Sequence, residues 1–204
     1  MNVRVFFAAC AVCVVGAAPV VAQSLTPDEI RAKVEEKTNV TNGYQVLLND
    51  PDPARSMAAM EVMLESGDAK LQRMALEFGL YSPNPQVRYT ALKAYFDGEP
   101  VLSIGIDGGK IKNQDQFGDL IREIGGTING QGDGFSTMKV GEIDAAQSCY
   151  LWPNSSSCFI RLSETGVAIS LWREWAPLQL DDQGNLVGTL DITGPAPITI
   201  PVSY

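Results

Sequence analysis

Three stretches of the chain fall into register at an interval of 16 residues. They are Ser56-Met57-Ala58-Ala59-Met60, Gln72-Arg73-Met74-Ala75-Leu76 and Arg88-Tyr89-Thr90-Ala91-Leu92. Ala59, Ala75 and Ala91 coincide, and each precedes a large apolar residue. At twice the interval the match is closer: Pro51-Asp52-Pro53 returns as Pro83-Asn84-Pro85, and Met63-Leu64 as Tyr95-Phe96. Short units with a fixed period cannot bury their apolar faces alone, so they stack. Each stretch also carries apolar residues at helical spacing. The repeat therefore predicts helices over 53–65, 69–80 and 85–96. Asp52 and Asn84 before their prolines act as caps.

Upstream, Thr26-Pro27-Asp28-Glu29 reads as a capping box that opens a helix over 26–37. A separate short helix over 39–48 forms a weak fourth copy of the repeat, since Gly43 lowers helix propensity. The Asp/Asn-Pro openings, followed by Ala59-Met60 and Ala91-Leu92, resemble HEAT-type (armadillo-like) repeats over residues 50–97. In that family an Asp or Asn before Pro opens a helix, and an Ala-Leu pair packs on the neighbouring unit. Arg88 matches the family's basic position and Ser56 departs from it. The resemblance implies a stacked helical surface that contacts another macromolecule.

The first 22 residues read as a signal peptide. Arg4 supplies the positive start, Val5 to Val15 the apolar run, and Val20-Val21-Ala22 the small residues before cleavage. The mature chain then begins at Gln23 and is periplasmic or secreted, with no membrane span. The whole chain carries 15 basic and 24 acidic residues, a net charge of −9. That balance argues against nucleic acid and anionic membrane as partners, because both need clustered Lys and Arg.

Past Glu99-Pro100 the composition shifts from Met and Ala to Gly, Thr and Ile. Residues 100–204 read as a β-rich domain, a sandwich or open barrel, with one helix over about 113–124. The fold class is thus α+β, with a helical domain at 26–98. Expected strands include 101–106, 138–143, 148–152, 158–162, 166–172, 177–180, 186–192 and 197–202. Asp181-Asp182-Gln183-Gly184-Asn185 is the best hairpin loop, and Gly130 to Gly134 another loop. Pro201 points to an edge strand, or to one whose missing N–H faces outward. Cys149 and Cys158 remain after signal cleavage. A hairpin turning at Pro153-Asn154 sets them opposite each other, and export favours a disulfide between them.

The chain has no histidine, so Ser-His-Asp and Cys-His catalysis are excluded. A Ser136/Lys139 pair is the remaining nucleophile arrangement. Asn129, Gln131 and Asp133 alternate like the front of a calcium loop, but Val140 stands where the bidentate acid is needed. The adjacent Asp181 and Asp182 read as a solvated turn. No cofactor and no metal are expected.

The leading expectation is a non-enzymatic, exported protein-binding or adaptor protein. Arg55, Gln72, Arg73, Gln86 and Arg88 are its candidate contact residues. The alternative is a glycan-binding module that uses Tyr150, Trp152, Trp172 and Trp175 as exposed aromatics. An uncharacterised hydrolase is a third reading.

Overall fold

The structure is a computed structural model that describes residues 25–171 and 174–202. The expected signal segment, residues 1–22, and Trp172 lie outside the described residues. The chain divides into two compact units, Met1–Asn42 and Gly43–Tyr204.

Helix α1 (Pro27–Leu48), whose residues from Gly43 on belong to the second unit, starts at the expected capping box. Thr26 N–H donates to Glu29 Oε2 at 2.7 Å, and Glu29 N–H returns to Thr26 Oγ1. The helix runs unbroken to Leu48 where two were expected. A Cβ at Gly43 would meet nothing within 4 Å, so this glycine costs helix propensity without breaking the helix.

After the last turns of α1, the second unit continues with α2 (Pro53–Glu65), α3 (Ala69–Leu80) and α4 (Pro85–Asp97). Their connecting loops repeat one device every 16 residues. Asp50, Ser66 and Ser82 each accept a hydrogen bond from the backbone N–H two residues on. Those acceptor turns deliver Asp52, Asp68 and Asn84 as N-caps, which accept from Ala54, Lys70 and Gln86 N–H at 2.8–2.9 Å. Each cap is worth about 1 kcal/mol. The same period fills the core. Met60, Leu76 and Leu92 are buried, as are Leu48, Leu64, Leu80 and Phe96.

The rest of the unit is one ten-stranded antiparallel sheet. Its strands are β1 (Val101–Ile106), β2 (Thr127–Ile128), β3 (Gly134–Lys139), β4 (Ile143–Asp144), β5 (Cys149–Leu151), β6 (Cys158–Ser163), β7 (Gly166–Leu171), β8 (Glu174–Leu180), β9 (Asn185–Asp191) and β10 (Pro195–Pro201). The spatial order is β2-β3-β1-β10-β9-β8-β7-β6-β5-β4. The sheet curls into a half-barrel. A single sheet corrects the sandwich alternative and fits the open-barrel one. Inward residues such as Leu102, Ile104, Ile169, Leu178, Ile198 and Ile200 join the helices' apolar residues in one continuous core. Helix α5 (Gln114–Glu123) buries Phe117, Leu120 and Ile121.

Two strand expectations are corrected. β3 begins at Gly134, four residues before the expected start, and residues 140–142 lie between β3 and β4. Gly134 sits beneath α5, where a Cβ would fall 2.2 Å from Ile121 Cδ1, so packing rather than a turn requires this glycine. β10 is an interior strand, not an edge. Pro197 C=O accepts from Asp107 N–H on the β1 side. Pro195 and Pro201 share its parity, so all three missing N–H groups face β1. There β10 pairs only at Gly105↔Thr199 and Ile106↔Ile198, whereas it pairs with β9 over seven positions.

The expected disulfide joins Cys149 to Cys158. Cys158 lies opposite Leu151 rather than Cys149, because the hairpin centres on Asn154-Ser155, with Trp152 N–H bonded to Ser157 C=O, and not on Pro153-Asn154. Closing so short a loop contributes roughly 2.5 kcal/mol in the chain-entropy description. Urea unfolding with and without a thiol reductant should differ by about that amount. The Cys149→Ser/Cys158→Ser variant should match the reduced protein and show no response to the reductant.

Between the cysteines in sequence, Tyr150 ties the sheet to α4. It is 3 % exposed, its ring lies 5.5 Å from that of Phe96, and its hydroxyl donates to Asp97 Oδ1 at 2.9 Å. Lys93 Nζ holds the other Asp97 oxygen at 2.6 Å. Burial, then the Asp97 carboxylate, push the Tyr150 hydroxyl well above its ordinary value of 10.0. Below that value the phenol is protonated in both states and contributes no pH dependence. Above it the unfolded chain loses the proton first, so stability falls as pH rises, by up to about 1.4 kcal/mol per pH unit. Urea midpoints measured from pH 9 to 11 should fall less steeply for Tyr150→Phe than for the unaltered chain.

Candidate functional site

The 16-residue period also places three polar side chains between helices. Ser56 Oγ donates to Leu48 C=O, and Gln72 Nε2 donates to Leu64 C=O at 3.0 Å. Arg88 Nη1 donates to Ser82 C=O at 2.6 Å. Each satisfies a carbonyl at or just past the end of the preceding helix, groups that otherwise lack an intrahelical partner. Two of the five candidate contact residues, Gln72 and Arg88, are thus committed to holding the array together. Arg55, Arg73 and Gln86 are exposed. Arg55 Nε lies 3.3 Å from Asp50 Oδ2.

Arg88 also lines a cleft of about 400 Å³. One wall is helical: the end of α3 with Tyr81 and Ser82, and the first turns of α4 with Pro85, Arg88 and Tyr89. The facing wall is two hairpins, Ser163–Val167 between β6 and β7 and Leu178–Asp182 at the end of β8. Tyr81 is 58 % exposed. Its hydroxyl stands over Gly184, where a Cβ would come within 3.1 Å. Glu164 and Asp182 are exposed, and neither forms an ion pair among the described residues.

Asp181 differs. Its carboxylate accepts from Asn185 Nδ2 and from the N–H groups of Gln183 and Asn185 at 2.8–2.9 Å. The Asn185 side chain, then its backbone N–H, hold the Asp181 carboxyl below its ordinary range. The same loop is built a second time with Asn and Asp exchanged. Asn129 Oδ1 accepts from Gln131 and Asp133 N–H, and Asn129 Nδ2 donates to Asp133 Oδ2. Gly132 and Gly184 take φ of 91° and 78° in the two loops, a conformation that favours glycine. The calcium-like alternation at 129–133 is thus a hairpin closure. No group of three or more metal-ligating side chains occurs among the described residues.

Ser136 and Lys139 do not meet. They are three apart on a strand and face opposite ways. Ser136 is buried with its Oγ on Ile124 C=O, and Lys139 pairs with Glu99 at 2.8 Å.

The described members of the aromatic set, Tyr150, Trp152 and Trp175, do not assemble into one platform. Tyr150 is core, which corrects its place among exposed aromatics. Trp152 is half-buried against Phe159, ring centres 4.4 Å apart. Trp175 is half-buried on β8 with the Arg161 guanidinium 4.2 Å from its ring centre. Ala168 lies beside Arg161 on β7, and its small side chain leaves room for that reach.

Tyr81 and Tyr89 were not singled out from sequence. Their signal is a departure from the repeat. Tyr81 stands where the other units have Glu65 and Asp97, and Tyr89 where they have Met57 and Arg73. No helix among the described residues is long and apolar enough to cross a membrane. No family model, curated protein or solved structure matches the chain.

Proposed function

We propose that this chain is an exported, non-enzymatic protein-binding or adaptor protein, built on HEAT-like helices, whose partner seats in the cleft between α3–α4 and the hairpins. The observation that carries the reading is the exposure of Tyr81 beside Tyr89 in a cleft whose walls are fixed by caps and carbonyl bonds. Tyrosine supplies large contact area with little side-chain freedom to lose, and aromatic residues dominate binding energy at protein interfaces. Glu164 and Asp182 add negative charge at the rim with no ion-pair partner among the described residues, which favours a basic partner segment. Arg55, Arg73 and Gln86 extend the contact along the helices. The disulfide and the N-terminal signal pattern support export to an oxidising compartment.

The test is affinity capture from the producing cell's exported fraction with residues 23–204. The Tyr81→Ala/Tyr89→Ala variant should lose the captured partner by about tenfold or more, equivalent to about 1.4 kcal/mol. Val62→Ala on exposed α2 should keep it. Equal capture by the double variant would refute the cleft as the binding site.

A further inference from the structure

We propose that the outer face of the sheet around Phe135 is a second binding site, for a neutral oligosaccharide. This inference stands apart from the helical cleft and does not depend on it.

Among the described residues nothing covers this face, and its composition is unusual for an acidic chain. Register places Thr127, Phe135, Gly105 and Thr199 in one row across β2, β3, β1 and β10, with Ser103 and Thr137 paired in a neighbouring row. Phe135 is 50 % exposed, and all four threonine and serine hydroxyls around it are exposed. Together they line a groove of about 580 Å³ in which no lining residue is charged. Gly105 has no side chain to fill the floor beside the ring. Among the described residues, the hydroxyls of Ser103, Thr127, Thr137 and Thr199 make no side-chain hydrogen bond. Ser136, on the opposite face of β3, spends its hydroxyl on Ile124 C=O.

This combination selects among occupants. A charged ligand would find no counter-charge. An acyl chain or a dry apolar protein patch would strip water from four hydroxyls without replacing it, at about 1–3 kcal/mol for each group left unpaired. A sugar ring meets both demands. Its C–H face lies on the exposed ring edge and face of Phe135, and its hydroxyls exchange hydrogen bonds with the flanking serines and threonines. The volume lies within the usual range for a small-molecule site.

The experiment is a titration of the isotopically labelled chain with cellohexaose, maltohexaose, mannohexaose and chitohexaose, followed by amide resonances. One of them should shift Gly105, Phe135 and Thr199 together. Phe135→Ala should weaken that binding about tenfold. Gly105→Val should abolish it by raising the floor. A Cβ at this position meets only ordinary contacts, with Phe135 Cε1 and Thr199 O each at 3.7 Å, so the fold is retained. Trp175→Ala should leave it unchanged. The proposal is overturned if no hexaose shifts these amides at millimolar concentration, or if Phe135→Ala binds equally well. It is also overturned if oligogalacturonate or dodecanoate shifts the same amides more strongly than every neutral sugar.

Discussion

Replacing Phe96 with alanine should destabilise the 43–204 unit by about 3–5 kcal/mol, the range for a fully buried aromatic. Phe96 is completely buried. In the repeat it takes the place of Leu48, Leu64 and Leu80. No further helix of the array follows α4, so its position turns to the sheet. Its ring meets Tyr95 at 5.3 Å and Tyr150 at 5.5 Å. Truncation removes the transfer energy of the ring and leaves a void that Tyr95 and Tyr150 cannot both fill. Because the core runs from the helices into the sheet, helical and sheet signals should melt together. Far-ultraviolet circular dichroism reports the helices, and tryptophan fluorescence, whose sources Trp152, Trp172 and Trp175 all follow the helical array in sequence, reports the β-rich part. Both midpoints should fall by the same amount, as one cooperative transition requires. A sheet signal that keeps its midpoint while the helices melt early would show that the two layers fold independently. Phe96→Leu should cost much less, since it refills most of the volume.

Which parts of this fold could be read from sequence follows from how local their causes are. The 16-residue period was legible because capping, Pro at the first helical position and apolar spacing act within a few residues. Asp52 and Asn84 cap as their positions before proline imply. Asp68 does the same at the intermediate register without a proline after it. The alternation of β7 and the Asp181–Asn185 loop were legible for the same reason. The misreadings came from residues whose role is set by distant contacts. Gly134 looks like loop sequence until α5 is laid over it. Pro201 looks like an edge marker until Pro195 and Pro197 are seen to share its parity, which confines all the missing donors to one seam. Tyr150 looks like a surface aromatic until Phe96 and Asp97 are brought against it from more than fifty residues away. The helical cleft had no contiguous motif at all, because its two walls come from residues 80–92 and 163–186. Only the aromatic departures from the repeat at Tyr81 and Tyr89 hinted at it.

The α3–α4 crossing gives the second large effect, and it can be separated from helix propensity by a matched control. Gly79 lies inside α3, where alanine should be better than glycine by about 1 kcal/mol if nothing else intervened. Something does intervene. A Cβ on Gly79 would fall 2.3 Å from Ala91 Cβ on α4 and 3.0 Å from Met60 Sδ on α2. Ala91 and Met60 are both fully buried, so neither has room to retreat. The other units carry Met63 and Tyr95 at this register, whereas α3 packs against a helix on each side, α2 and α4, and needs the small residue there. Gly79→Leu should therefore cost about 3 kcal/mol or more, at or above the upper end for overpacking. Gly79→Ala should also destabilise, against its propensity gain. Gly118 in α5 is the control, because a Cβ there meets nothing within 4 Å. Gly118→Ala should stabilise by about 0.5–1 kcal/mol. The same substitution in two helices should thus shift the urea midpoint in opposite directions. If Gly79→Ala instead stabilised the chain as Gly118→Ala does, α3 and α4 would have to stand further apart than described, and the cleft wall they form would be wrong with them.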